Sequence, residues 1–219
     1  MGRKNVMLYN TTPPYVVVAS GTGSALSTQT IKISGITTSN IQLIIITAGI
    51  GGGVLTLSDT QGNVYSGLTR AGTIGCQIAY VIRPLIAASM SFTIANSATS
   101  ACVLIVQGPN PPIPAFDVQN GNGSAGAGGG HTASTGNITP NFNGDFIVAA
   151  ASTGTGTIGT GATVSGYTLI NLPFQPGVAQ GLITYYQTQK YILTTGVTFS
   201  SAPGSTLSLF GAVIGAFSN

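Results

Sequence analysis

Ile41-Gln-Leu-Ile-Ile-Ile-Thr-Ala-Gly-Ile-Gly-Gly-Gly-Val-Leu-Thr-Leu57 is the most apolar stretch of the chain. As a single helix it falls short of the ~20 apolar residues that span a bilayer. Gly49, Gly51, Gly52 and Gly53 also break its middle, where glycine disfavours a helix and supplies a turn. Two strands, Ile41–Thr47 and Val54–Ser58, joined by a glycine turn account for it better. Leu43 to Ile46 is apolar at every position, so both faces of that strand need cover. The sandwich core supplies one side, and a loop, an arm or another subunit the other.

The same reading extends outward. Short β-branched and apolar runs recur on both sides, among them Tyr15–Ala19, Thr28–Ile33, Gln77–Arg83, Ser91–Ile94, Cys102–Gln107, Asp145–Ala151 and Gln180–Gln189. Some alternate: Ile31 and Ile33 oppose Lys32 and Ser34, and Phe92 and Ile94 oppose Thr93. No segment sustains a capped 3.6-residue period. Many short strands with close turn signals predict an antiparallel β-sandwich. Asp59-Thr-Gln-Gly-Asn63 predicts a hairpin turn, Asp bonding through its side chain and Gly or Asn taking positive φ. The one long irregular stretch, residues 108–144, reads as a crossover within a single sandwich. Neither flank alone shows a closed strand set.

Composition excludes several classes. The 219 residues include 32 Gly, six Lys plus Arg, three Asp and no Glu, at 43% hydrophobic and a net charge of +3. Mean hydropathy is +0.42. Such a chain is too apolar for a charged disordered segment and too poor in charge for the solvent faces of a helical bundle. Six scattered cations form no phosphate-neutralising stripe, so no nucleic-acid partner is expected, and no run is long enough for membrane insertion. A surface this poor in charge is weakly protected against association, and much of it is expected to be covered by other chains.

The order of features resembles a known family. Leu57-Ser-Asp-Thr-Gln-Gly-Asn-Val-Tyr65 is followed by Gln77-Ile-Ala-Tyr80, Ser91-Phe-Thr-Ile94 and a Gly/Ser-rich crossover. Gly144-Asp-Phe-Ile-Val-Ala-Ala-Ala151, Gly166-Tyr-Thr-Leu169 and Gly211-Ala-Val-Ile-Gly-Ala-Phe217 come after it. From Val54 to Phe217 this is similar to the jelly-roll-like β-sandwich domains of bacteriophage virion proteins and bacterial surface proteins. The resemblance implies an all-β, jelly-roll-like antiparallel sandwich of about 12 short strands with little or no helix. The expected organisation is an N-terminal arm at 1–14 and one domain at 15–219. The family carries no catalytic residues to transfer.

The chemical constellations are weak. Gly121-Asn-Gly-Ser-Ala-Gly126 and Gly154-Thr-Gly-Thr-Ile-Gly159 match a dinucleotide spacing, but no helix follows to hold a pyrophosphate, so no cofactor is expected. His131 is the sole histidine and has no nucleophile-elbow serine for a triad. Asp59, Asp117 and Asp145 sit in unrelated segments, so neither a metal centre nor an acid pair is expected. Cys76 and Cys102 read as buried small hydrophobes or as one cross-strand disulfide. Tyr185, Tyr186 and Tyr191 are candidate sugar-stacking residues or strand packing. Three Asn-x-Ser/Thr sequons match chance expectation.

The expectation for function is therefore a non-enzymatic structural virion protein on the particle surface, a phage capsid decoration or head or tail fibre subunit. Its partners would be copies of itself (a trimer among the options), the major capsid or tail protein, and host surface glycans. The alternatives are an extracellular filament or adhesin subunit and a carbohydrate-binding module on a tail. The filament reading expects a cleaved export signal, and the N-terminus has no apolar run of signal length. Arg3, Lys4, Tyr9 and Tyr15 are the interface candidates. Pro13-Pro14 stiffens the exit of the arm toward an extended path, which directs the arm to another chain.

Overall fold

The computed structural model describes residues 15–37, 39–71, 75–95, 99–108, 114–122, 132–153, 164–171, 181–200 and 209–218. These are all-β, with fifteen strands and no helix among the described residues. The first eight are β1 (Val16–Ala25), β2 (Gln29–Ser34), β3 (Ile41–Ile50), β4 (Thr56–Asp59), β5 (Ser66–Gly67), β6 (Gly75–Ile82), β7 (Ser89–Ala95) and β8 (Thr99–Gln107). Pairing among them is nested and antiparallel: β1 with β8, β2 with β7, β3 with β6. Rolling up such a long hairpin gives two sheets, ordered β1-β8-β3-β6-β5 and β2-β7-β4. This is jelly-roll connectivity.

The remaining strands are β9 (Ala115–Asn122), β10 (Thr132–Ile138), β11 (Phe146–Thr153), β12 (Thr168–Asn171), β13 (Gly181–Thr188), β14 (Thr195–Ser200) and β15 (Leu209–Ser218). They nest in the same way, β9 with β15, β10 with β14 and β11 with β13. Their sheets run β9-β15-β11-β13-β12 and β10-β14. Strand for strand the second set repeats the first, except that β4 has no counterpart among the described residues. Where one sandwich was expected over 15–219, the described strands form two sets of one topology. The two sequence flanks each close a strand set, and the expected crossover at 108–144 contains β9 and β10.

The two five-stranded sheets pack face to face, and each smaller sheet covers the outside, giving four layers. Alternation along β3 shows how the layers share one strand. Leu43 and Ile45 join Ile78, Leu104, Phe146, Val148, Leu182 and Phe217 in the central core. Ile44 and Ile46 point the other way, onto Ile31, Ile33, Phe92 and Ile94 of the small sheet. A third core sets Ile147, Ala149 and Ile214 against Ala133, Val197 and Phe199. The second face of Leu43–Ile46 is therefore covered by the chain's own small sheet, and needs no other subunit.

Small residues let the central sheets approach. A Cβ on Gly49 would stand 3.1 Å from Gly181 O and 3.2 Å from Ser152 Cβ. Within this layer the hydroxyls of Thr47 and Thr184 meet, Oγ1 to Oγ1 at 2.6 Å. Each hydroxyl is the other's partner, as buried polar groups require.

The turn after β4 has the expected chemistry and a different role. Asp59 Oδ1 accepts from Gln61 N at 2.8 Å, and Gly62 takes φ +74°. Yet β4 pairs with β7 and β5 with β6. The turn carries the chain from one sheet to the other and closes no hairpin.

Candidate functional site

Of the interface candidates, Arg3, Lys4 and Tyr9 lie outside the described residues, as does His131. Tyr15 does not present its side chain to a partner. It is 4% exposed, donates to Ser218 O at 2.7 Å and packs on Phe146 at 5.7 Å between centroids. Its phenol ties the start of β1 to the end of β15, and so one sandwich to the other.

Cys76 and Cys102 are free and buried. They lie on β6 and β8, and β3 runs between those strands. Two strand spacings of about 4.8 Å exceed the reach of a disulfide. Burial pushes the Cys102 thiol up to about 12 and the Cys76 thiol up as well, so neither is a nucleophile. The tyrosines form no sugar platform. Tyr185 is buried, Tyr186 packs at a tilt on Phe146, and Tyr191 alone of the three is exposed, under the Lys190 ammonium at 5.2 Å.

The acids depart from expectation. Asp59 stands apart in the first sandwich, where it holds its turn and accepts from Tyr65 Oη at 2.6 Å. Asp117 and Asp145 come together at one end of the second. Asp117 is the extra residue of a β-bulge, since Phe116 pairs with Phe217 and Val118 with Ala216. Such a bulge re-aims a side chain. Asp145 precedes β11 and extends its ladder to Gln189, which donates its N–H to Asp145 O at 2.8 Å. Asn141 holds Asp117, its backbone N–H lying 2.7 Å from Oδ2.

Asp145 is 0% exposed, and no N–H or hydroxyl group donates to either carboxyl oxygen. Burial first, then a hydrogen bond and charge from Asp117, push its pKa up to about 7. A proton between the two acids is the one partner that Asp117 can offer it. Nearby Tyr15 is also pushed up, by burial and then by the Asp145 charge. Two neighbouring carboxyl groups are the raw material of glycosidase chemistry. Here the fully covered Asp145 is out of reach of a polymeric substrate.

The loops above this pair carry the main exposed apolar side chains of that end. Ile192 N–H donates to Asn143 Oδ1 at 2.8 Å, and Gln189 Nε2 donates to Leu193 O at 2.6 Å. Thr139 and Thr194 hydroxyls meet at 2.8 Å. So pinned, the loops present Phe142, Tyr191, Ile192 and Leu193, each 47–60% exposed. In the first sandwich a groove of about 370 Å³ opens where β4 and β5 part, walled by Leu55, Leu57, Val64, Tyr65 and Ala79. It holds no base or nucleophile.

No protein family, curated protein or solved structure matches this chain.

Proposed function

We propose that this chain is a structural subunit of a larger particle, a virion surface protein of the phage decoration or fibre kind. The observation that carries the reading is the pinned apolar end, Phe142, Tyr191, Ile192 and Leu193, on a chain with only six basic and three acidic residues. Exposed apolar side chains gathered at one end mark contact surfaces, and sparse charge offers little resistance to association. The occupant is a second copy of the chain, with the capsid or tail protein as the further partner. Two stacked sandwiches with a shared buried core would act by contact area. The arm at 1–14 adds a second point of attachment.

Sedimentation velocity tests this. The wild type associates with rising concentration. Ile192→Ser combined with Leu193→Ser shifts the population to monomer with an unchanged β-spectrum. A wild type that stays monomeric at high concentration and does not bind purified particles overturns the reading.

A further inference from the structure

Three buried oxygens at the end of the second sandwich lack a donor: both carboxyl oxygens of Asp145 and Oε1 of Gln189. Asp145 is 0% and Gln189 7% exposed, so bulk solvent does not reach these oxygens. The residues face each other across antiparallel strands, since Phe146 pairs with Thr188 and Gln189 N–H bonds Asp145 O. Directly opposed side chains share a face. The bulge at Asp117 brings a second carboxylate to the same place. Burying unpartnered acceptors is unfavourable, and two adjacent acids worsen the balance. Lys190, beside Gln189, turns its ammonium over the Tyr191 ring instead.

The repeated topology supplies an internal control. In the first sandwich a bulge falls at the matching place in β1, where Val17 pairs with Val106 and Ala19 with Ile105, leaving Val18 unpaired. Arg83 N–H donates to Gln42 O at 2.8 Å, the counterpart of the Gln189 to Asp145 bond. Val18 and Gln42 therefore stand where Asp117 and Asp145 stand. The sandwich end closes without any acid, so the fold does not explain the pair.

We propose that the second sandwich holds a hard divalent cation, with calcium preferred, between Asp117 and Asp145. Gln189 Oε1 supplies a third oxygen, and turning over the Asn141 amide supplies a fourth. The donors are all oxygen, as calcium requires and zinc does not favour. Two carboxylates neutralise the ion. One cation satisfies all three orphaned acceptors and fastens the loops that carry the exposed apolar end.

The test uses the whole chain at pH 8, stripped with EDTA and titrated with calcium chloride or with terbium. Tyrosines sensitise terbium, and the chain has no Trp to compete. Calcium at a hundredfold excess over its Kd raises Tm by about 5–10 °C and displaces the terbium signal. Asp117→Val and Asp145→Gln, which install the first sandwich's residues, lose both effects. Asp59→Asn, at the only other acid, keeps both and carries the assignment should the first two variants fail to fold. Equal wild-type Tm in calcium and EDTA, with no displaceable terbium, overturns the proposal and leaves the acids sharing a proton only.

Discussion

Asp145 links burial to pH. Its carboxyl, normally near 3.8, is pushed up to about 7 on folding, chiefly by burial and then by Asp117. The folded state therefore binds the proton more tightly than the unfolded state. That contribution is fully present below the unfolded pKa and is lost as pH rises from about 4 to about 7. In metal-free buffer we expect the wild-type Tm to decline across this window relative to Asp145→Asn, which has no carboxyl to titrate there. Thermal melts of both proteins at matched pH values check this. Parallel profiles would refute it. The sequence hid this site because it shows only isolated acids. Asp117 reaches Asp145 through a bulge on β9 and two ladders, β9 to β15 and β15 to β11, and none of these is a local signal. The tyrosine candidates failed for a related reason. Periodicity marks Tyr185 and Tyr186 as strand residues, but which face is covered depends on β10 and β14, whose partnership is long-range.

At the scale of elements, strong runs were legible and weak ones were not. β2, β3, β6, β7 and β8 carry apolar periodicity that a strand needs for burial. β9 (AFDVQNGN) and β10 (TASTGNI) are rich in Asn, Gly, Ser and Thr, and read locally as loop. They are strands because β15 and β14 supply their ladder partners, a tertiary effect that overrides propensity. β15 shows the reverse economy, with glycines serving contact with the neighbouring sandwich. A Cβ on Gly211 would collide with the backbone oxygen of Ala71, and one on Gly215 would stand 2.6 Å from Leu68 Cδ1. Gly121 on β9 meets nothing nearer than 3.5 Å. Gly211→Ala should therefore destabilise by about 1–3 kcal/mol, because a backbone atom cannot step aside as a side chain can. Gly121→Ala should stay within about 0.5 kcal/mol of wild type. Urea unfolding of the two variants decides the point. Equal midpoints would mean that the segment ending at Ala71 yields freely and the sandwiches are not tightly apposed there.

For the whole molecule, the question is whether two sandwiches behave as two domains. The connection between β8 and β9 is short, and each half has its own nested pairing and its own outer core. Those features alone would predict independent units. The central core argues otherwise. Leu43, Ile45, Ile78, Leu104 and Val106 from one half, and Phe146, Val148, Leu182, Val213 and Phe217 from the other, are all buried by the shared face. Fully burying one such side chain contributes about 1.5–3 kcal/mol, so separating the halves exposes more than a typical domain's net stability of about 5–15 kcal/mol. Separation also breaks the Thr47 to Thr184 hydrogen bond and releases Tyr15 from Ser218 O. We therefore expect a single cooperative transition on heating, with calorimetric and van't Hoff enthalpies in agreement. Residues 15–108 expressed alone should aggregate, since one whole face of their five-stranded sheet would be bare. Scanning calorimetry showing two resolved transitions, or a soluble folded first half, would mean that the shared face is an interface between finished domains. Agreement of the two enthalpies would make the sandwich pair the unit of folding, and any assembly built from this chain would add whole four-layer blocks.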